Sequence, residues 1–64
     1  MLAFRERVVN EKTELDEKIN KLCVFETTLT FQNLPHDEQD RLRRQRLVMT
    51  EYSNILRERI TNFK

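Results

Sequence analysis

Sixty-four residues with one cysteine, one proline and no glycine make one domain at most, and a chain this short buries only about 60% of the surface its unfolded form exposes. Twelve basic residues against eleven acidic ones leave a formal charge of +1, which excludes a global field for nucleic acid or an anionic membrane. Cys23 alone forms no intrachain disulfide and no Cys/His cluster has zinc-like spacing, so the staple left for so thin a core is self-association.

In chain order, Met1 to Phe4 is followed at once by Arg5, Glu6 and Arg7. That start gives neither a leader's apolar run nor a span of about 20 apolar residues. Together with a single unpaired thiol, it points to a soluble protein of a reducing cytoplasm. With 38% hydrophobic and 36% charged residues, the expected class is all-α, long helices with solvated outer faces. A first helix is predicted over about 2–26, supported by the acid-then-base pairs Glu14–Lys18 and Glu17–Lys21 four residues apart. Its seam in a heptad reading is Arg5, Val8, Lys12, Leu15, Ile19, Leu22 and Glu26, with Phe4, Cys23 and Phe25 flanking.

The connection, about 27–35, is marked by β-branched Thr27, Thr28 and Thr30 and by Asn33-Leu34-Pro35. Leu29, Phe31 and Leu34 within it are too apolar to leave in water and are expected to plug the end of the bundle. A second helix follows over about 36–63. Pro35 is expected in its first turn, and Asp37, Glu38 and Asp40 face the positive end of its dipole. Leu42, Gln45, Met49, Tyr52, Leu56, Ile60 and Phe63 recur at spacings of three and four along one face.

Folded as an antiparallel two-helix hairpin with its turn near position 32, the chain pairs residues whose numbers sum to about 64. Leu22 then faces Leu42, Leu15 faces Met49, Val8 faces Leu56, Ile19 lies by Gln45 and Lys12 by Tyr52. Two helices cover only one face each, while Val48, Ile55, Phe4 and Phe25 leave further apolar area. Dimerisation into a four-helix bundle, or a higher homo-oligomer, would cover it.

The run Arg7-Val8-Val9, Glu11-Lys12, Glu14-Leu15-Asp16, Lys18-Ile19 and Lys21-Leu22 leads to Phe25, Phe31 and Leu34. Glu38-Gln39, Leu42, Gln45, Met49, Tyr52, Leu56 and Arg59-Ile60 follow. As a set these residues resemble a family of small helical bacteriophage proteins grouped with one from a crAss-like phage, and the similarity spans nearly the whole chain. The resemblance implies a phage-encoded accessory protein acting inside the bacterial host cytoplasm, and no biochemical activity comes with it.

Candidate sites follow from polar residues where apolar ones would stabilise more. Lys12, Gln45, Tyr52 and Arg59 lie at or beside the seam. Their structural explanation is that Tyr52 is a core aromatic and the others set register. Their functional one is a ligand pocket in an oligomer, where ammonium and guanidinium groups bind phosphates and Tyr52 stacks on a base. The basic run Arg41, Arg43, Arg44 and Arg46 is partly neutralised by Asp37, Glu38 and Asp40 and divides between two helix faces. It reads as a solvated face, with Arg43 and Arg46 a candidate surface for a protein partner. Without interleaved aromatics or a helix-turn-helix signature, the run argues against nucleic acid.

No metal, no cofactor and no catalysis are expected. Cys23 and His36 could be imagined as a nucleophile and base, but a hairpin offers no enclosed site and no oxyanion donors, so a buried inert thiol and a solvated histidine are expected instead. The carboxylates show no paired arrangement for acid–base work. Two functions from different classes remain open. One is a counter-defence sponge that sequesters an anionic nucleotide-type immune signal between helices of an oligomer, which the polar seam residues favour. The other is an interaction module that inhibits or adapts a host or phage protein.

Overall fold

The computed structural model describes residues 2–63. Over these residues the chain is all-α: α1 (Leu2–Phe25), the single turn α2 (Leu29–Gln32) and α3 (His36–Thr61). Among the described residues none has a positive φ, so each turn is made without the left-handed conformation that a glycine would have supplied.

α1 ends where hydroxyls compete for its last carbonyls. Thr27 Oγ1 donates to the Val24 carbonyl at 2.6 Å and Thr28 Oγ1 to that of Phe25 at 2.7 Å, offering the backbone an alternative to further helix. Thr28 also caps α2, accepting from the Phe31 N–H at 3.2 Å. A cap of this kind satisfies a donor that the first turn leaves free. It fixes the turn so that Phe31 is buried, edge-to-face with Phe25 at 5.9 Å between centroids. Leu34 is half-buried beside it, whereas Leu29 is 74% exposed. The expected plug is therefore made by Phe31 and Leu34 without Leu29, because one helical turn has only one inward side and Phe31 occupies it.

Pro35 stands at the N-cap of α3, just outside its first turn, with φ −54° and ψ 147°. Its carbonyl accepts from the N–H groups of Glu38 and Gln39, both at 3.0 Å. Asp37 and Glu38 in the first turn complement the helix dipole. Gln39, buried, donates Nε2 to the carbonyls of Gln32 at 3.2 Å and Leu34 at 2.9 Å, tying the end of α2 to the start of α3.

α1 and α3 lie side by side with their contacts in opposed order: Glu26 meets Arg46, Asp16 meets Ser53, and Phe4 meets Phe63. These pairs sum to 72, 69 and 67 rather than to about 64, so each α1 residue meets α3 about one to two turns later than expected. The cause lies in the connection. α2 lies against the start of α3, where Gln39 bonds the carbonyls of Gln32 and Leu34, so the chain reverses at the Leu34-Pro35 corner rather than near position 32.

The side chains between the helices follow a heptad on both. On α1, Val8 is buried and Lys12, Leu15, Ile19, Leu22 and Glu26 are half-buried, while Arg5 is exposed. On α3 the covered positions are Gln39, Leu42, Arg46, Met49, Ser53, Leu56 and Ile60. The expected α3 seam is thereby corrected at two places: Gln45 and Tyr52 are exposed, and Arg46 and Ser53 stand in their stead. The two stripes share Leu42, Met49, Leu56 and Ile60, and Tyr52 is more apolar than Ser53, so hydropathy favours the wrong flank. Cross-helix polar bonds decide for the other.

Among the described residues the fully apolar core is Val8, Phe31 and Leu56. The result is a rod of 47 × 14 × 12 Å. No helix among the described residues is long and apolar enough to cross a membrane.

Candidate functional site

The seam of α3 leaves a second stripe outside it. Val48, Tyr52 and Ile55 are 69%, 41% and 45% exposed, and their spacing of four and three continues to Gln45 on one side and Arg59 on the other. Five residues thus follow a heptad on a face that α1 does not cover. Tyr52 and Arg59 are two turns apart, about 10.5 Å along the axis. Gln45 rests its amide against Met49 Sδ at 3.9 Å.

At the far end of this stripe α1 contributes an aromatic ring. The Arg59 guanidinium carbon lies 5.9 Å from the Phe4 ring centroid, within cation–π range. Phe4 in turn packs edge-to-face on Phe63 at 5.6 Å. Phe4 is half-exposed, and Arg59 makes no ion pair among the described residues. An uncompensated guanidinium on an accessible aromatic can take a phosphate or carboxylate without first giving up a partner.

Lys12 belongs to a different cluster. Its ammonium pairs with Asp16 Oδ2 at 2.7 Å, and Asp16 Oδ1 accepts from Ser53 Oγ at 2.5 Å. The bond from Lys12, then that from Ser53, hold the Asp16 carboxyl below the usual carboxylate range against a smaller opposing effect of burial. The charge of Lys12 is compensated by a carboxylate of its own helix. The structure therefore sets Gln45, Tyr52 and Arg59 on one face, adds Phe4, and ties Lys12 to Ser53 through Asp16.

The basic run is also largely engaged. Arg41 bonds Glu38 at 2.9 Å and Asp37 at 3.2 Å. Arg43 reaches Asp40 and Gln39, each at 3.4 Å, with its guanidinium carbon 5.2 Å from the Phe31 ring centroid. Arg46 donates Nε to Glu26 at 2.5 Å, and that bond raises the affinity of the guanidinium for its proton. Arg44 has no ion pair among the described residues.

Cys23 is exposed rather than buried, because the α1 seam turns inward at Leu22 and Glu26 on either side of it. His36 is exposed as well. Among the described residues no three His, Cys, Asp or Glu side chains are grouped to hold a metal ion. A shallow recess of about 380 Å³ is lined by Arg5, Glu6, Val9 and Asn10, all from α1.

Phe4, Asp16, Glu26 and Ser53 are the residues that spacing alone did not bring into a site. A signal was present for one of them: Ser53 is seven residues from Arg46, in register with Gln39 and Ile60, a polar heptad that is legible once the partners Asp16 and Glu26 are known.

No solved structure matches the chain. The uncharacterized 7.5 kDa protein of the denB-rIIB intergenic region of Enterobacteria phage T4 is 38% identical over 64 residues, covering all of both chains. The family model described as Sequestin matches residues 2–62. With the match extending over all three helices, the chain belongs to the Sequestin family of small phage proteins.

Proposed function

We propose that the protein is a non-catalytic binding protein that sequesters a small anionic ligand of nucleotide type. The antiparallel hairpin would be the protomer, and the pockets would lie between helices of a homo-oligomer. The family name denotes a sequestering role and the T4 relative supplies a bacteriophage setting. A phage protein with that role fits a counter-defence factor working in the host cytoplasm, and kinship to a crAss-like phage protein belongs to the same reading.

The observation that carries it is Arg59. Its guanidinium is uncompensated among the described residues and lies on Phe4, with Tyr52 two turns away on the same exposed face. A phosphate would bind the guanidinium and a base would stack on an aromatic ring, chemistry that requires no reacting group. Lys12 contributes to the anion only if its pair with Asp16 opens.

A second reading is favoured by the exposed Val48 and Ile55: the same face docks on a host or phage protein and inhibits or adapts it. Titration calorimetry against cyclic and linear nucleotides separates the two. Binding that is lost in Arg59→Ala supports sequestration. Absence of heat with every nucleotide removes it and leaves the protein partner.

A further inference from the structure

We infer that the exposed stripe of α3 is the contact between two copies of the chain, packed antiparallel about a two-fold axis at Tyr52. The inference takes up the oligomer of the proposed function and names its interface and the residues that choose its register.

Surface area is the first support. The protein exposes 5261 Å² for a mass of 7.9 kDa, whereas a folded monomer of that mass exposes about 4,400 Å². The radius of gyration is 14.7 Å against about 10.7 Å for a compact chain of this length. The excess area is roughly 850 Å², close to the roughly 800 Å² that each partner gives to a standard interface. A rod two helices wide is half of a four-helix bundle, and one more copy supplies what it lacks.

The stripe is also self-complementary. About an axis at Tyr52, the two tyrosines meet each other, Val48 meets Ile55 of the second copy, and Gln45 meets Arg59. Small meets large, and an amide oxygen meets a guanidinium. The flank of the stripe away from α1 carries Arg44, Glu51 and Glu58, again seven apart. The same axis sets Arg44 of each copy opposite Glu58 of the other, so two ion pairs bracket the apolar centre. Neither Arg44 nor Glu58 makes an ion pair within its own chain among the described residues. Glu51 meets its own copy near the axis and opposes the pairing. A parallel arrangement would instead put this flank of the two copies on opposite sides of the contact, where Arg44 meets no Glu58 and neither ion pair forms. Charge therefore selects the antiparallel copy. The arrangement also completes the ligand face, since Arg59 and Phe4 of one copy then lie beside Gln45 of the other.

Sedimentation equilibrium without ligand tests the contact, using the full chain. The wild type is expected at twice 7.9 kDa or a larger even multiple. Arg44→Glu and Glu58→Arg, both on an exposed face, should each weaken self-association about tenfold, because two symmetric attractions become repulsions. The double reversal should restore it, and Glu51→Gln should strengthen it. Circular dichroism of each variant confirms that the helices persist. A 7.9 kDa species at micromolar concentration, or an oligomer that both single reversals leave unchanged, overturns the inference. So does failure of the double reversal to rescue. An oligomer that behaves as expected but binds no nucleotide supports the contact and removes only the ligand reading.

Discussion

Arg46 on α3 donates to Glu26 at the end of α1 across twenty residues of sequence, with the two side chains 29% and 13% exposed. The pair stands in the seam at a place where two apolar residues would also fit, and it fixes which turn of α3 lies against α1. Removing one member leaves a half-buried charge without its partner, whereas replacing both with apolar residues removes the desolvation cost as well. Glu26→Gln and Arg46→Met should each lower Tm by several degrees. The double variant Glu26→Leu/Arg46→Met should recover most of that loss. Thermal unfolding by circular dichroism reads all three, and strictly additive losses would show that the pair does not act as a unit.

Leu56 is the one large side chain fully removed from water among the described residues. Truncating it to alanine loses transfer energy and leaves a cavity, about 3 kcal/mol in all. For a chain of this size that corresponds to a fall in Tm of more than about 10 °C. Val48→Ala, on the outer stripe, should cost the isolated protomer much less. Urea titrations at several protein concentrations separate the two effects, because only the Val48 effect should depend on concentration.

Acid should release the cluster at the centre of the rod. Asp16 titrates below its ordinary value in the folded chain because Lys12 and Ser53 bond its charged form. Its contribution is therefore fully present above the unfolded carboxylate pKa of about 3.9. It is lost as pH falls through the lower folded value. The Tm difference between wild type and Asp16→Asn should be constant from neutral pH to about pH 5 and vanish at the acid end. Because Asp16 is well exposed, the difference should also shrink in high salt.

Ligand affinity should depend on Arg59 more than on Lys12. Loss of one charge-assisted phosphate contact costs about 1.5–3 kcal/mol, so Arg59→Ala should weaken an anionic nucleotide ten- to a hundredfold. Lys12→Ala removes a charge that Asp16 already compensates and should change affinity by less than about threefold. Calorimetry on folded variants checks the order. A larger loss for Lys12 would move the anion to the Asp16 cluster.

Cys23→Ser should be silent for folding and for ligand binding alike, since the thiol is exposed and outside the seam. Loss of biological activity with folding intact would point instead to chemistry at the thiol. Infection assays with the serine variant, compared with its melting curve, give the answer.

Much of the fold was legible in residues that admit few alternatives. A chain without glycine, with acid-then-base pairs four apart and Pro35 ahead of an acidic first turn, had little choice but long helices on either side of a threonine-rich break. The apolar positions Val8, Leu15, Leu42, Met49 and Leu56 announced themselves by spacing. Tyr52, Gln45 and Arg59 were marked out too, as polar or amphipathic groups on or near that spacing, although on the wrong side of it.

Tertiary structure decided the register and the face. Two stripes on α3 shared their apolar members, and sequence hydropathy ranks Tyr52 above Ser53 without knowing that Asp16 waits across the gap to bond the hydroxyl. Nor does local sequence record that Thr28 and Gln39 would shape a corner that moves the cross-helix pairs by about one to two turns. The identity of residues 45, 52 and 59 was thus fixed by the chain alone. Whether they faced α1 or the solvent depended on polar contacts between residues 20 and 37 apart, which exist only once the two helices lie together.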